Sequence, residues 1–201
     1  MTVRLSTASA VVLGALLTQL VGCVDPAKAL DDFSNRVVDA STNVIDAPPL
    51  DELPDVTGQF LFGISLGFAP APEATIRWIG DLELTINGDT GVLDMALQPL
   101  TIEDGTPVGN PIVVNDVAVS AAGTFDAPVD GNDIDGSASP TGSDFSFTSV
   151  VHGQLRTADL LCGTQTGEVT EPSTVPLDGT TFGAIRIIEG TIGGDLPPPV
   201  V

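Results

Sequence analysis

Apolar side chains at every second position run through most of the chain beyond residue 60, and a period of two belongs to β-strands. Phe60, Phe62, Ile64, Leu66 and Phe68 alternate without a miss. Ile76, Trp78, Leu82, Leu84 and Ile86 follow, set against Thr75, Arg77, Asp81, Glu83 and Thr85. Asn87-Gly88-Asp89 turns the chain, after which Leu93, Met95 and Leu97 resume the alternation. Further strands are expected over 112–120, 124–129, 145–155, 160–169 and 181–189, separated by Pro, Gly, Asn and Asp clusters. The fold class is therefore all-β, with about eight antiparallel strands in a meander. Closure into an up-and-down barrel and division into a sandwich both satisfy the pattern.

The other face of the first strand reads Gln59, Leu61, Gly63, Ser65, Gly67, Ala69. Glycine inside a strand often marks close approach by another element. One candidate is an N-terminal helix. Asp25-Pro26 is a good helix start, Leu30, Phe33, Val37, Ala40 and Val44 recur at helical spacing, and Pro48-Pro49 ends the run. Phe33 and Val37 would then fill the space above Gly63 and Gly67. The competing reading of that face is the roomy interior of a barrel.

The N-terminus reads as an export signal: Arg4 precedes an uncharged apolar run, Leu5 to Leu20, which leads into Leu20-Val21-Gly22-Cys23. That tetrapeptide resembles the lipobox of bacterial lipoproteins. The resemblance implies cleavage before Cys23, a thioether-linked diacylglycerol on its sulfur and an acyl group (palmitate or similar) on the new terminus. The expected organisation is a signal peptide over 1–22, a lipidated Cys23 with helix and acidic linker over 23–57, a β domain over 58–190, and a flexible tail over 191–201. Val24 is not the Asp that diverts enteric lipoproteins to the inner membrane, so the expected location is the cell envelope, outer membrane over inner.

Charge bounds the partners. The chain carries 27 Asp and Glu against 6 Lys and Arg, a formal net charge of -21. Phosphate contacts need clustered Lys and Arg, so nucleic acid is excluded as a partner by this reading. An acidic domain cannot hold an anionic membrane through its own surface, which leaves the lipid as the expected membrane partner.

Candidate chemical groups are few. Gly63-Ile64-Ser65-Leu66-Gly67 matches the G-x-S-x-G nucleophile elbow, which works only on a strand-to-helix turn. Here it lies inside a strand pattern, and the one histidine, His152, falls on the polar register of another strand. No catalytic residue is expected. Asp130 to Gly136 looks like a calcium loop, but neither counting register completes the EF-hand order. Asp126, Asp130, Asp133 and Asp135 remain weak oxygen-ligand candidates, and no metal or other cofactor is expected. With Cys23 lipidated, Cys162 is the only thiol left, and its place after Leu160 and Leu161 suits a small buried hydrophobe.

Two stretches carry a wider likeness. Leu93-Asp-Met-Ala-Leu-Gln-Pro-Leu100 precedes Gly123-Thr-Phe125, and Leu161-Cys-Gly-Thr-Gln-Thr-Gly-Glu-Val169 precedes Thr180-Thr-Phe-Gly-Ala-Ile-Arg186. Their wording resembles an uncharacterised set of secreted or lipid-anchored β domains of myxobacterial genomes, over roughly 58 to 188. The resemblance implies fold and export and transfers no activity.

Three functions follow as expectations: a non-catalytic envelope domain for interaction or scaffolding, a lipocalin-like barrel holding a small apolar ligand, and a hydrolase. A ligand-sized apolar cavity would favour the second, a filled core the first, and Ser65 exposed at a turn near His152 the third. The lipobox makes the first testable point. Cys23→Ala should abolish membrane retention in detergent phase partitioning, and equal partitioning of wild type and variant would contradict lipidation at Cys23.

Overall fold

The computed structural model describes residues 52–70 and 74–200. The expected signal segment, Cys23 and the N-terminal helix lie outside the described residues. The strands are β1 (Gly58–Ser65), β2 (Ile76–Asn87), β3 (Thr90–Pro99), β4 (Ile112–Val119), β5 (Thr124–Ile134), β6 (Phe145–Thr157), β7 (Leu160–Glu171), β8 (Val175–Pro176) and β9 (Thr180–Arg186). From β1 to β7 each strand pairs antiparallel with the next. β9 then pairs with both β7 and β1, closing an eight-stranded barrel, and the two-residue β8 is an extra strand on β7. Of the two architectures the alternation allowed, the chain forms the barrel.

The barrel has unlike ends. At one, β2–β3, β4–β5 and β6–β7 are joined by tight turns at 88–89, 120–123 and 158–159. At the other, 66–75, 100–111, 135–144 and 172–179 form longer connections. Loops of that kind on a rigid scaffold are where binding surfaces concentrate.

Alternation explains the core. Phe60, Phe62 and Ile64 of β1, Trp78, Leu82 and Leu84 of β2, and Leu93, Met95 and Leu97 of β3 are all buried in one cluster. Four of the inward rings lie over glycines of an adjoining strand. Phe125 pairs with Gly153, Phe147 with Gly131, and Phe182 with Gly163. Phe62 lies over Gly80, two residues along from its direct partner Trp78. A Cβ at any of these four glycines would fall within 3.0 Å of the ring above it. The interior keeps a cavity of only about 20 Å³, so the barrel is a packed core and not an open calyx.

One seam is incomplete. β4 and β5 share a single registered pair, Val119 with Phe125. Asp116 takes a left-handed conformation, φ 59°, opposite a bulge between Leu93 and Met95, and donates its N–H to Asp94 Oδ1 at 2.7 Å. Pro128 brings no N–H to the facing strand. Loops bridge the seam at the far end, where Ile102 N–H donates to Ser137 O at 2.8 Å.

A second small core lies on the outer face. Leu61, Ile79 and Leu100 are buried beneath Ile185, Ile187 and Leu196. Ile187 N–H donates to Gln59 O at 2.9 Å and Gly193 N–H to Gly105 O at 3.1 Å, so the C-terminal segment runs across β1 toward the β3–β4 loop. A Cβ on Gly183, the partner of Gly63, would meet Val200 O at 2.6 Å. On the outward face of β1, Leu61 is thus covered by Ile185, Ile187 and Leu196, while Gly67 lies against the backbone of Asp178 and Gly179. At the tight-turn end Arg186 stacks on Phe60, 4.8 Å from the ring centroid. It donates to Thr57 O, Asp55 O and Ala158 O at 2.6–2.9 Å and to Asp159 Oδ1 at 2.9 Å.

Two strand limits differ from the sequence reading. β1 ends at Ser65, leaving Phe68 in a turn and 46% exposed. β5 continues to Ile134, so most of the suspected calcium loop is strand. Gly131 lies over a ring, and Asp133 (φ 51°) falls within the bulge that follows. The glycine–ring pairing sets the prediction. Gly153→Ala and Gly131→Ala should each lower stability by about 1–3 kcal/mol, read from the urea midpoint. Gly194→Ala should stay within about 0.5 kcal/mol, because a Cβ there meets nothing within 4 Å. Equal effects at all three would contradict ring-over-glycine packing.

Candidate functional site

The long-loop end carries an apolar pocket of about 250 Å³. Ile64, Ile76 and Trp78 reach it from the mouth ends of β1 and β2, Phe145 and Phe147 from the start of β6, and Val169 from the end of β7. Residues 139–143 wall one side, and Pro172, Ser173, Val175 and Leu177 wall the other. Ile64, Trp78 and Gln165 also border the small interior cavity, so they form the floor between mouth and core. Among the described residues, none that lines it bears a charge. Ligand pockets commonly span about 300–1,000 Å³, so this one suits a ring or two and not a long chain.

Three aromatic rings form one wall. Trp78 and Phe147 stack with centroids 5.9 Å apart and planes 19° from parallel. Phe145 continues the stack on Phe147 at 6.0 Å and 25°. Trp78 is 3% exposed, and its Nε1 is the only buried side-chain nitrogen or oxygen among the described residues without a hydrogen-bond partner. An unpaired buried donor of this kind costs about 1–3 kcal/mol. Its polar neighbours are already committed. Gln165, 5% exposed, donates Nε2 to Ser149 Oγ at 2.8 Å, and that hydroxyl donates to Val129 O at 2.6 Å.

A larger hollow of about 590 Å³ lies on the outer face of β1–β4. It is shallow, carries Asp81, Glu83, Asp94 and Glu189, and its polar groups bind one another, as in Gln59 Nε2 to Asp81 Oδ1 at 2.9 Å. We place the site at the smaller pocket, because enclosure and an aromatic wall mark it and volume alone marks the other.

The residues singled out in the sequence fall elsewhere. Ser65 sits in β1 opposite Thr181, and a turn at Gly67 and Phe68 follows it. His152 makes no bond to it. Its Nδ1 meets Asp126 Oδ1 at 2.7 Å and its Nε2 meets Thr166 Oγ1 at 2.9 Å. This Asp–His–Thr row crosses β5, β6 and β7 on the outer face, with the His and Asp side chains 42% and 75% exposed. It has the order of a proton relay without a cavity beside it. The four suspected metal ligands do not converge. Asp126 holds His152, Asp130 Oδ1 accepts from Ser149 N–H at 3.2 Å, Asp133 donates its N–H to Ser146 Oγ at 3.1 Å, and Asp135 accepts from Ser137 N–H at 2.8 Å. No cluster of three His, Cys, Asp or Glu side chains suited to a metal occurs among the described residues. Cys162 is a free, half-buried thiol in β7.

Trp78, Gln165 and Thr166 carry roles that no motif announced. A signal for Gln165 existed: it shares the inward register of Leu161 and Gly163, where a polar side chain must find a buried partner. Thr166 lies one residue further along, on the outward register.

The chain matches no protein-family model, no curated protein and no solved structure.

The loops at this end are held by carboxylates. Asp104 accepts from the Thr101 and Thr106 hydroxyls and from Thr106 N–H, and these bonds hold its carboxyl below the ordinary 3.8 of aspartate. Asp135 is lowered in the same way by the Ser137 hydroxyl and N–H. Arg77 supports the first loop, donating Nη2 to Thr101 O and Ile102 O at 3.0 and 2.6 Å. A carboxyl with a depressed folded-state pKa lends its stabilisation fully above the unfolded value and loses it as pH falls through the folded one. As pH falls progressively below the ordinary 3.8 the amides of Thr106 and Ser137 should therefore lose hydrogen-exchange protection, after correction for intrinsic rates. The Leu93 amide should keep its protection. Unchanged protection at Thr106 and Ser137 would contradict the role given to Asp104 and Asp135.

Proposed function

We propose that this chain is a lipid-anchored, non-catalytic β-barrel of the bacterial cell envelope that takes a small apolar molecule or group at its mouth. The observation that carries the reading is the uncharged, aromatic-walled pocket of about 250 Å³ set above a filled interior. It supports binding at the loops rather than in a deep lipocalin-like calyx. Leu20-Val21-Gly22-Cys23 supports the tether, with the outer membrane favoured over the inner. The net charge of -21 supports a domain that stands away from anionic lipid. It also argues against a polyanionic partner: residues 52–200 hold three arginines and no lysine, and Arg77, Arg156 and Arg186 all donate to internal acceptors. The non-catalytic reading draws on Ser65 lying within a strand and on the His152 row lying on an open outer face.

The chain's one tryptophan lies in the pocket and provides the test. The uncharged two-ring dye 1-naphthylamine should quench Trp78 emission by energy transfer, saturably, in the purified chain held in lipid nanodiscs. Ser143→Phe, which sets a ring at the pocket rim from an exposed loop position, should weaken that quenching at least fivefold at the same lipid concentration. Identical titrations for wild type and variant would assign the quenching to lipid-borne dye and favour a scaffold without an occupant.

A further inference from the structure

Resting on the mouth pocket as a binding site, we propose that the group it takes is an apolar side chain of a cationic polypeptide segment, whose flanking lysines and arginines meet carboxylates around the rim. Charge, placement and size point to that class of partner.

Wall and rim differ in chemistry. Among the described residues, none that lines the pocket is charged. An ionised group would be desolvated there without a counter-ion, so the buried part of the partner is neutral. The rim is acidic. Asp144 lies between the lining residues Ser143 and Phe145, and Glu171 and Asp178 bracket the lining stretch from Pro172 to Leu177. Glu103, Asp104 and Asp135 stand in the loops that the Ile102 N–H to Ser137 O bond joins. These acids are all exposed, and none of them forms an ion pair among the described residues. The one cation at this end among the described residues, Arg77, commits its Nη2 to Thr101 O and Ile102 O.

Placement favours a polypeptide over a compact cation. The carboxylates border the wall and do not line it, so an ammonium held within the pocket has no counter-ion beside it. They lie on both sides of the opening, in the 135–144 loop and around the 172–177 stretch, and so match more than one positive charge. An apolar anchor with basic residues before and after it sets each group against its complement. The pocket's volume of about 250 Å³ suits one such side chain. Phe68, 46% exposed, carries the apolar surface from the pocket onto the rim, where the rest of the segment would lie. The net charge of -21 adds a field that draws cations from a distance.

Short peptides test this on the full chain in phosphatidylcholine nanodiscs, whose lipid has no net charge. The probes are acetyl-Lys-Lys-Phe-Lys-Lys-amide, its analogue with serine for each lysine, and its analogue with alanine for phenylalanine. The methyls of Ile64, Ile76, Val169 and Val175 report the pocket. At about 10 mM salt the lysine–phenylalanine peptide should shift them and bind about tenfold more tightly than the serine analogue, as a few exposed ion pairs allow. The alanine analogue should leave them in place. The advantage of lysine should vanish at about 1 M salt, where the screening length falls to about 3 Å. Glu171→Gln with Asp178→Asn should cut that advantage roughly threefold and leave the serine analogue's affinity unchanged. Glu83→Gln with Asp89→Asn, at exposed positions away from the mouth, should leave it within about twofold.

Equal affinities for the lysine and serine peptides, or equal losses in the two variant pairs, would overturn the cationic partner and leave the pocket standing. Mouth methyls that move with 1-naphthylamine but with neither phenylalanine peptide would also overturn it, and would assign the pocket to a free small molecule. If neither dye nor peptide moves them, the mouth is no binding site, and both readings fall together.

Discussion

Phenylalanine rings lying over glycines on neighbouring strands decide what the rest of this barrel can do. A small barrel must fill its own interior, because eight strands enclose a space about as wide as the side chains that point into it. Here Phe125, Phe147 and Phe182 each lie across from a glycine, and Phe62 lies over Gly80. The missing side chain lets each ring drop onto the backbone of the adjoining strand. The rings and the aliphatic residues between them then occupy the interior almost completely. A ligand of useful size has no room below the floor made by Ile64, Trp78 and Gln165.

That constraint moves function to the mouth, and the connections there are built to hold a shape. The β3–β4 loop is pinned by Arg77 from below and by Asp104 from within, and Ile102 joins it to the 3-10 turn that Asp135 caps. These bonds also bridge the end of the seam that β4 and β5 leave unpaired. At the opposite end one arginine, Arg186, ties the approach to β1, the β6–β7 turn and β9 together. Two of the scarce cations, Arg77 and Arg186, are used as internal clasps that tie loops and turns to the strands beside them, while Arg156 bonds Gln154 of its own strand.

The alternation of apolar residues located every long strand, because strand burial on one face writes a period of two directly into the chain. It could not distinguish barrel from sandwich. That depends on β9 reaching back to β1 and on β6 meeting β7, pairings whose evidence lies in no single segment. The acidic run from Asp130 to Asp135 misled for a physical reason. Aspartate, asparagine and glycine favour turns, but here Gly131 lies under Phe147 and the run continues β5. On the outward face of β1 the backbone of Asp178 and Gly179 lies against Gly67, and Ile187 and Leu196 pack on Leu61; these residues lie in a connection and in the C-terminal segment, which carry no helical or strand period. The pocket was illegible because its walls come from distant segments, and Trp78, whose ring forms part of one wall, holds the place of an ordinary core side chain in the pattern.

The central claim is that the barrel is filled and binds, if anywhere, above its floor. Methyl-labelled Ile, Leu and Val report both regions in one spectrum. With 1-naphthylamine added to the chain in nanodiscs, the methyls of Ile64, Ile76, Val169 and Val175 should shift, because they line the mouth. Those of Leu93, Val119, Leu155 and Leu161, at most 2% exposed, should stay in place. Shifts of equal size at Leu93, Val119 and Leu155 would put the ligand inside the barrel and contradict the packing of rings over glycines.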